Sequence, residues 1–133
     1  MWIDKNLLVS NSQTLADTAV SDYSIDLGAA KAIWRGRPVF MVINIETAAA
    51  DLTSINFQVV TDTVAALSSP TVQVETGAIG YASLTAGKMI ILPLASAIGT
   101  EEQYLGMQYT CSDAGTCTFS AFIALEAMEN YSY

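Results

Sequence analysis

Between Gln103 and Met128 apolar side chains recur at every second position on both sides of a short polar break. That is the period of a strand with one buried face. Leu105, Met107, Tyr109 and Cys111 share one parity before the break, and Cys117, Phe119, Ala121 and Ile123 share one after it. Asp113-Ala114-Gly115 has the composition of a three-residue hairpin loop, with Gly115 at the left-handed bulge position. The pattern predicts one long β-hairpin in which Cys111 faces Cys117, Tyr109 faces Phe119, Met107 faces Ala121 and Leu105 faces Ile123. Gln108, Thr110, Thr118 and Ser120 take the opposite parity, so the second face is wet or meets a partner. A slip of one residue would bury Gln108 and Ser120, and that cost fixes the register.

Upstream, the same reading places strands from Val20 to Leu27, ending at Gly28, and from Val39 to Thr47 after Pro38. The second is apolar on both faces in its first half, which predicts a central strand. Ile55 to Thr61 alternates, Asp62 to Pro70 reads as a loop, and Thr71 to Thr76 and Ile79 to Leu84 read as two short strands separated by Gly77. Lys88 to Leu94 follows the turn Thr85-Ala86-Gly87. Residues 1–15 show no sustained period and read as an N-terminal arm, leaving 16–133 as the folded domain. About eight antiparallel strands without a long helix predict an all-β sandwich, with a jelly roll ahead of an immunoglobulin-like arrangement.

Composition sharpens this picture. A hydrophobic fraction of 52% with only 14% charged residues is more apolar than a monomer of this size requires, so part of the excess is expected in interfaces. A net charge of −8 repels nucleic acid and anionic lipid alike, and neither is an expected partner. Met1-Trp2-Ile3-Asp4-Lys5 lacks the basic start of a secretory signal, and the apolar run Met89 to Ile98 is too short to span a bilayer and carries Pro93. The expected site of synthesis is a cytoplasm, where two cysteines are ordinarily thiols; a cross-hairpin disulfide is the alternative. Lys31, Arg35 and Arg37 put three of the five basic residues within seven positions, beside Trp34. That cluster reads either as a solvated turn or as a contact with an acidic partner.

Candidate chemistry is sparse. The chain has no histidine, which removes the commonest general base and metal ligand, and two cysteines six apart cannot complete a zinc site. No cofactor is expected. Glu46, Asp62, Glu101, Glu102 and Asp113 supply carboxylates for a glycosidase pair, yet their positions at strand ends and loops suit solubilising charges better. Gly77-Ala78-Ile79-Gly80 is too sparse for a phosphate loop and precedes no helix.

Several stretches taken together resemble the jelly-roll cement, or decoration, proteins on the outside of tailed-bacteriophage heads. They are Ile3-Asp4-Lys5-Asn6-Leu7-Leu8, Ile25-Asp26-Leu27-Gly28-Ala29-Ala30, Leu67-Ser68-Ser69-Pro70-Thr71 with Gly77-Ala78-Ile79 and Leu84-Thr85-Ala86-Gly87, and Thr100-Glu101 with Tyr104-Leu105 and Tyr109-Thr110. The cysteine-bearing loop and the turn Trp34-Arg35-Gly36-Arg37 depart from that resemblance. The resemblance implies a non-enzymatic protein of the outer virion surface, made in the bacterial cytoplasm. It would self-associate, with a dimer favoured over a trimer, and clamp neighbouring copies of a major capsid protein of the HK97-like type. The expected contact residues are Trp2, Ile3, Asp4, Lys5, Leu7 and Leu8 of the arm, with Trp34, Arg35 and Arg37 of the basic turn. The rival from another class is a carbohydrate-binding module using Trp2, Trp34, Tyr81, Tyr104, Tyr131 and Tyr133.

Overall fold

Alternation with period two sends every second side chain of nine strands inward, where two sheets press their apolar faces together. The computed structural model describes residues 4–28, 39–94 and 102–124. After one 3-10 turn at Lys5–Leu7 the strands are β1 (Leu8–Leu15), β2 (Ala19–Val20), β3 (Ile25–Asp26), β4 (Val39–Ala50), β5 (Ser54–Asp62), β6 (Thr71–Gly80), β7 (Met89–Leu94), β8 (Tyr104–Cys111) and β9 (Thr116–Ala124). One sheet has the order β1-β9-β4-β7 and the other β2-β8-β5-β6, with β3 also paired to β8. All pairings are antiparallel. Counting β2 and β3 as one interrupted strand gives two four-stranded sheets in which the first and last strands are neighbours, the jelly-roll order. The immunoglobulin-like alternative is not the arrangement adopted.

The expected hairpin is corrected. β8 pairs with β2, β3 and β5, whereas β9 pairs with β1 and β4, so the two do not share a ladder. Ser112–Gly115 is an arch that carries the chain from one sheet to the other. The apolar parity was read correctly, because Leu105, Met107, Tyr109, Cys117, Phe119, Ala121 and Ile123 all lie in the core. They meet face to face across it instead of side by side. The rings of Tyr109 and Phe119 are 4.5 Å apart edge to face, and Phe57 of β5 completes the cluster at 5.8 and 5.5 Å. Gly115 does not take the left-handed conformation either. A Cβ there would lie 2.6 Å from the Ala50 carbonyl oxygen and 2.6 Å from the Leu52 nitrogen, so the glycine is required by close approach of the β4–β5 corner.

Three other expectations change. Leu8–Leu15 is not an arm but the edge strand β1, with Val9 and Leu15 fully buried. Its register shifts twice against β9 and Ser12 has φ +47°, which erases the alternation that would have revealed it. Thr71 to Thr76 and Ile79 form one strand that runs through Gly77, whose φ of +74° belongs to a bulge. Tyr81–Ser83 is a 3-10 turn, not a strand. As expected, β4 is central, between β9 and β7.

A short polar chain crosses the core beside β1. The Tyr109 hydroxyl meets Ser10 Oγ at 2.6 Å, Ser10 Oγ donates to Gln13 Oε1 at 2.6 Å, and Gln13 Nε2 donates to the Val20 carbonyl at 2.9 Å. Because the single Ser10 proton is committed to Gln13, Tyr109 is the donor to Ser10. Burial holds the Tyr109 proton far above the usual phenol range. Both cysteines are free thiols turned towards the core, Cys117 buried and Cys111 half-buried. Burial first, then the neighbouring Cys111, pushes the Cys117 thiol up to about 11.

Candidate interaction surface

The sandwich has two ends. The tip carries the arch Ser112–Gly115, the β4–β5 corner and the turn before β7. The base is the opposite end, where Val39 pairs with Leu94, Phe40 with Ala124, Leu8 with Phe122, and Asp26 and Asp62 both with Tyr104. The described residues that border 1–3, 29–38, 95–101 and 125–133 all stand at this base.

Of the residues singled out from the sequence, Trp2, Ile3, Trp34, Arg35 and Arg37 lie outside the described residues. Asp4 caps the 3-10 turn, accepting from the Asn6 nitrogen at 2.9 Å, and is exposed beside exposed Lys5. Leu7 packs on the core, and Leu8 is half-buried opposite Phe122. Leu7 and Leu8 are thus held at the base by this domain's own packing, with Asp4 and Lys5 exposed beside them. Gly28 and Val39, the nearest described residues on either side of 29–38, stand at the same end.

The outer face of the β1-β9-β4-β7 sheet changes character along its length. Towards the tip it shows Thr14, Thr118, Ser120 and Glu46, with Thr14 and Thr118 hydroxyls 2.9 Å apart and Ser120 donating to Glu46. Towards the base, Leu8, Phe122, Val42 and Ile91 form one row across all four strands, followed by Ala124, Phe40 and Pro93. Val42 and Phe122 are buried although they belong to no inner-face cluster. The other sheet is polar outside over its half nearer the tip: Asn56 and Gln58 each donate to Glu75 Oε2 at 2.9 Å, and Thr110 donates to Gln58. These two amide donors hold the Glu75 carboxyl below the usual range.

Among the described strands no edge invites a further one. β1 and β6 are each shifted twice in register, β7 carries exposed Pro93, and β2 and β3 are two residues long. Devices of this kind obstruct strand addition, so faces and loops are left as contact surfaces.

The loop from Asp62 to Pro70 was expected from the sequence, but not the way it is held. Asp62 is only 4% exposed and its carboxylate accepts from the nitrogens of Thr63 at 2.6 Å and Ser69 at 2.8 Å, tying together both ends of the loop between β5 and β6. The Ser69 bond leads the effects that hold its carboxyl below the usual range. Leu67 has φ +51° yet is 2% exposed, seated on Gly106 of β8, where any Cβ would collide with Leu67 Cδ1. A glycine inside a strand pattern was the available signal.

The other candidate carboxylates also hold structure. Asp113 accepts from Thr53 N at 2.6 Å, from Thr53 Oγ1 and from Ser112 Oγ, pinning the arch to the β4–β5 corner, and these bonds lower its pKa. Asp62 and Asp113 stand at opposite ends of β5, and Glu46 lies on the other sheet. Glu101 lies outside the described residues, and Glu102 accepts from Thr71 Oγ1 at 2.8 Å. Among the described residues no three His, Cys, Asp or Glu side chains gather to hold a metal ion, and no helix is long and apolar enough to cross a membrane. Tyr81 lies at the tip and Tyr104 at the base, so the described aromatics form no common platform for a sugar ring; Trp2, Trp34, Tyr131 and Tyr133 lie outside the described residues.

In this two-sheet jelly roll Glu46, Asp62, Glu75, Glu102 and Asp113 brace loops and strands. The chain belongs to the Bbp16 family, a phage-related family whose model matches residues 9–125. No curated protein matches the sequence.

Proposed function

We propose that this protein is a capsid cement protein: it binds the outer surface of a tailed-phage head, bridges neighbouring subunits of an HK97-like major capsid protein, and performs no catalysis. The observation that carries the reading is convergence at the base. Asp4, Lys5, Leu7 and Leu8 share one end of a jelly roll with Gly28 and Val39, the described residues that flank the stretch 29–38, in a phage-related family. A shell strained by packaged DNA gains from small rigid clamps, and a domain with obstructed edges holds contact without growing into fibres. Self-association as a dimer belongs to this reading, as does a virion location after synthesis in the bacterial cytoplasm.

The experiment is reconstitution. Full-length protein is mixed with heads of the encoding phage that lack it, and bound protein is measured after sedimentation and imaged on the particle. Saturable, high-occupancy binding at a fixed symmetry position is expected, with raised resistance of the heads to heat or loss of DNA. Absence of binding, together with recognition of glycans on an array, would replace cement by the carbohydrate-binding alternative.

A further inference from the structure

The loop between β5 and β6 is held more firmly than a connection requires. Besides the Asp62 carboxylate bonds, Leu67 N donates to the Val64 carbonyl at 3.2 Å and the buried Leu67 side chain locks onto Gly106. A second loop braces it: Ser24 Oγ donates to the Ala65 carbonyl at 2.9 Å, and Tyr23 N donates to the Val9 carbonyl of β1 at 2.9 Å. A leucine held at positive φ costs energy that its surroundings must offset, and such outliers gather where a segment has to keep one shape. What this loop keeps in shape is apolar and faces water. Val64 is 44% exposed, Tyr23 is 56% exposed, and Ala65 and Ala66 are exposed, with the Ala65 carbonyl bonded to Ser24, the residue after Tyr23. They form a ridge on the side of the sandwich that also carries the start of β1.

We propose that this ridge, Tyr23 with Val64–Ala66, docks into a partner protein whose complementary site is an apolar hollow with a basic rim. The proposal rests on the capsid reading, in which the hollow belongs to the shell. Charge selects the partner. Exposed Asp22 and Asp26 flank the ridge, and the whole chain carries −8, so a second copy laid ridge to ridge would set Asp22 against Asp22. Like charges placed face to face oppose association, whereas lysines or arginines around a hollow would steer the ridge in. A ridge of this size acts as an anchor within a wider contact, where a few residues carry most of the affinity.

The test uses the full chain on heads lacking it, with Val64→Asp and Tyr23→Ser as ridge variants and Tyr81→Ser at the tip as the comparison. All three sites are exposed, so unchanged melting temperatures are expected and checked first. Each ridge variant should raise the concentration for half-occupancy about tenfold or more, and Tyr81→Ser should not. Added salt should weaken the unsubstituted protein, and Asp22→Asn should flatten that dependence. Wild-type occupancy by both ridge variants overturns the ridge and leaves the capsid reading standing. Failure of the unsubstituted protein to bind heads overturns both. If Val64→Asp splits a solution oligomer, seen by analytical ultracentrifugation, while head binding persists, the occupant is a second copy and the proposal falls.

Discussion

Gly115 separates two accounts of the β8–β9 connection. If the glycine served a left-handed turn, asparagine would be the best tolerated replacement, since its side chain accepts that conformation. In the arch the constraint is space: a Cβ would sit 2.6 Å from the Ala50 oxygen, the Leu52 nitrogen and the Leu52 Cβ. Two of those atoms are backbone, and Asp113 pins the same corner through Thr53, so relief requires the corner itself to shift. Overpacking against atoms that cannot rotate away lies at the upper part of its usual range, about 2–3 kcal/mol. For 133 residues each kcal/mol moves the melting temperature by about 3–4 °C, so Gly115→Ala should lower it by roughly 7–11 °C. Gly115→Asn, being larger, should do worse. Gly87 is the internal comparison, with φ +84° and open space where a Cβ would go. There alanine should cost about 1–2 kcal/mol, and asparagine should recover part of it. Calorimetric melting of the four variants decides between the accounts. A Gly115→Asn protein more stable than Gly115→Ala would refute the close-approach argument.

Tyr109→Phe removes the donor to Ser10 and should cost about 1–2 kcal/mol; with Ser10→Ala added, the double variant should lose little more than the worse single one, measured by urea unfolding. Asp62, Asp113 and Glu75 have folded pKa values below their unfolded ones, so their stabilisation is complete above the unfolded values near about 4 and disappears as pH falls through the lower folded values. Melting temperature should therefore decline with acid in that window, and less steeply for Asp62→Asn. For the Cys117 thiol, raised to about 11, the sign reverses: its contribution is intact below the unfolded value and fades as pH rises towards the folded one, a loss that Cys117→Ser should abolish. A chain beginning at Ser12 loses fully buried Val9 and the Ser10 partner of Tyr109, and should melt at least about 10 °C lower or without cooperativity; unchanged melting would count against β1 as a stabilising strand.

Strands with clean alternation were legible from the chain alone. β4, β5 and β7 fall where their apolar parity puts them, and the inward residues of β8 and β9 were identified one by one. Their partners were not. Period two states which side chains share a face but not which neighbour receives the hydrogen bonds, and a three-residue turn composition suits an arch as well as a hairpin. β1 was hidden because its bulges put Ser10 and Gln13 where alternation calls for apolar groups, and their reward, the Tyr109 hydroxyl and the Val20 carbonyl, is 99 and 7 residues away. Among the expected contact residues, Asp4, Lys5, Leu7 and Leu8 stand at the base of the domain, and nothing local in the sequence shows that the domain itself packs Leu7 and Leu8. The ridge at Val64 was missed for a related reason. Three apolar residues in a loop look incidental until Asp62, Leu67 and Gly106 are seen to hold them outward.

Among the described strands, the neighbour of the first is the last. β9 lies between β1 and β4, with Leu8 opposite Phe122 and Val42 opposite Phe122 on its other side, so that sheet has only its β4–β7 pair until β9 is available. Until β9 has been made, β1 and one flank of β4 lack their partner, and pairing them joins residues as far apart in the chain as Leu8 and Phe122. Folding dominated by such distant pairings is expected on the millisecond-to-second scale. A nascent chain is most exposed to aggregation while those two strand edges stay open, and slowing synthesis between β4 and β9 should prolong that interval.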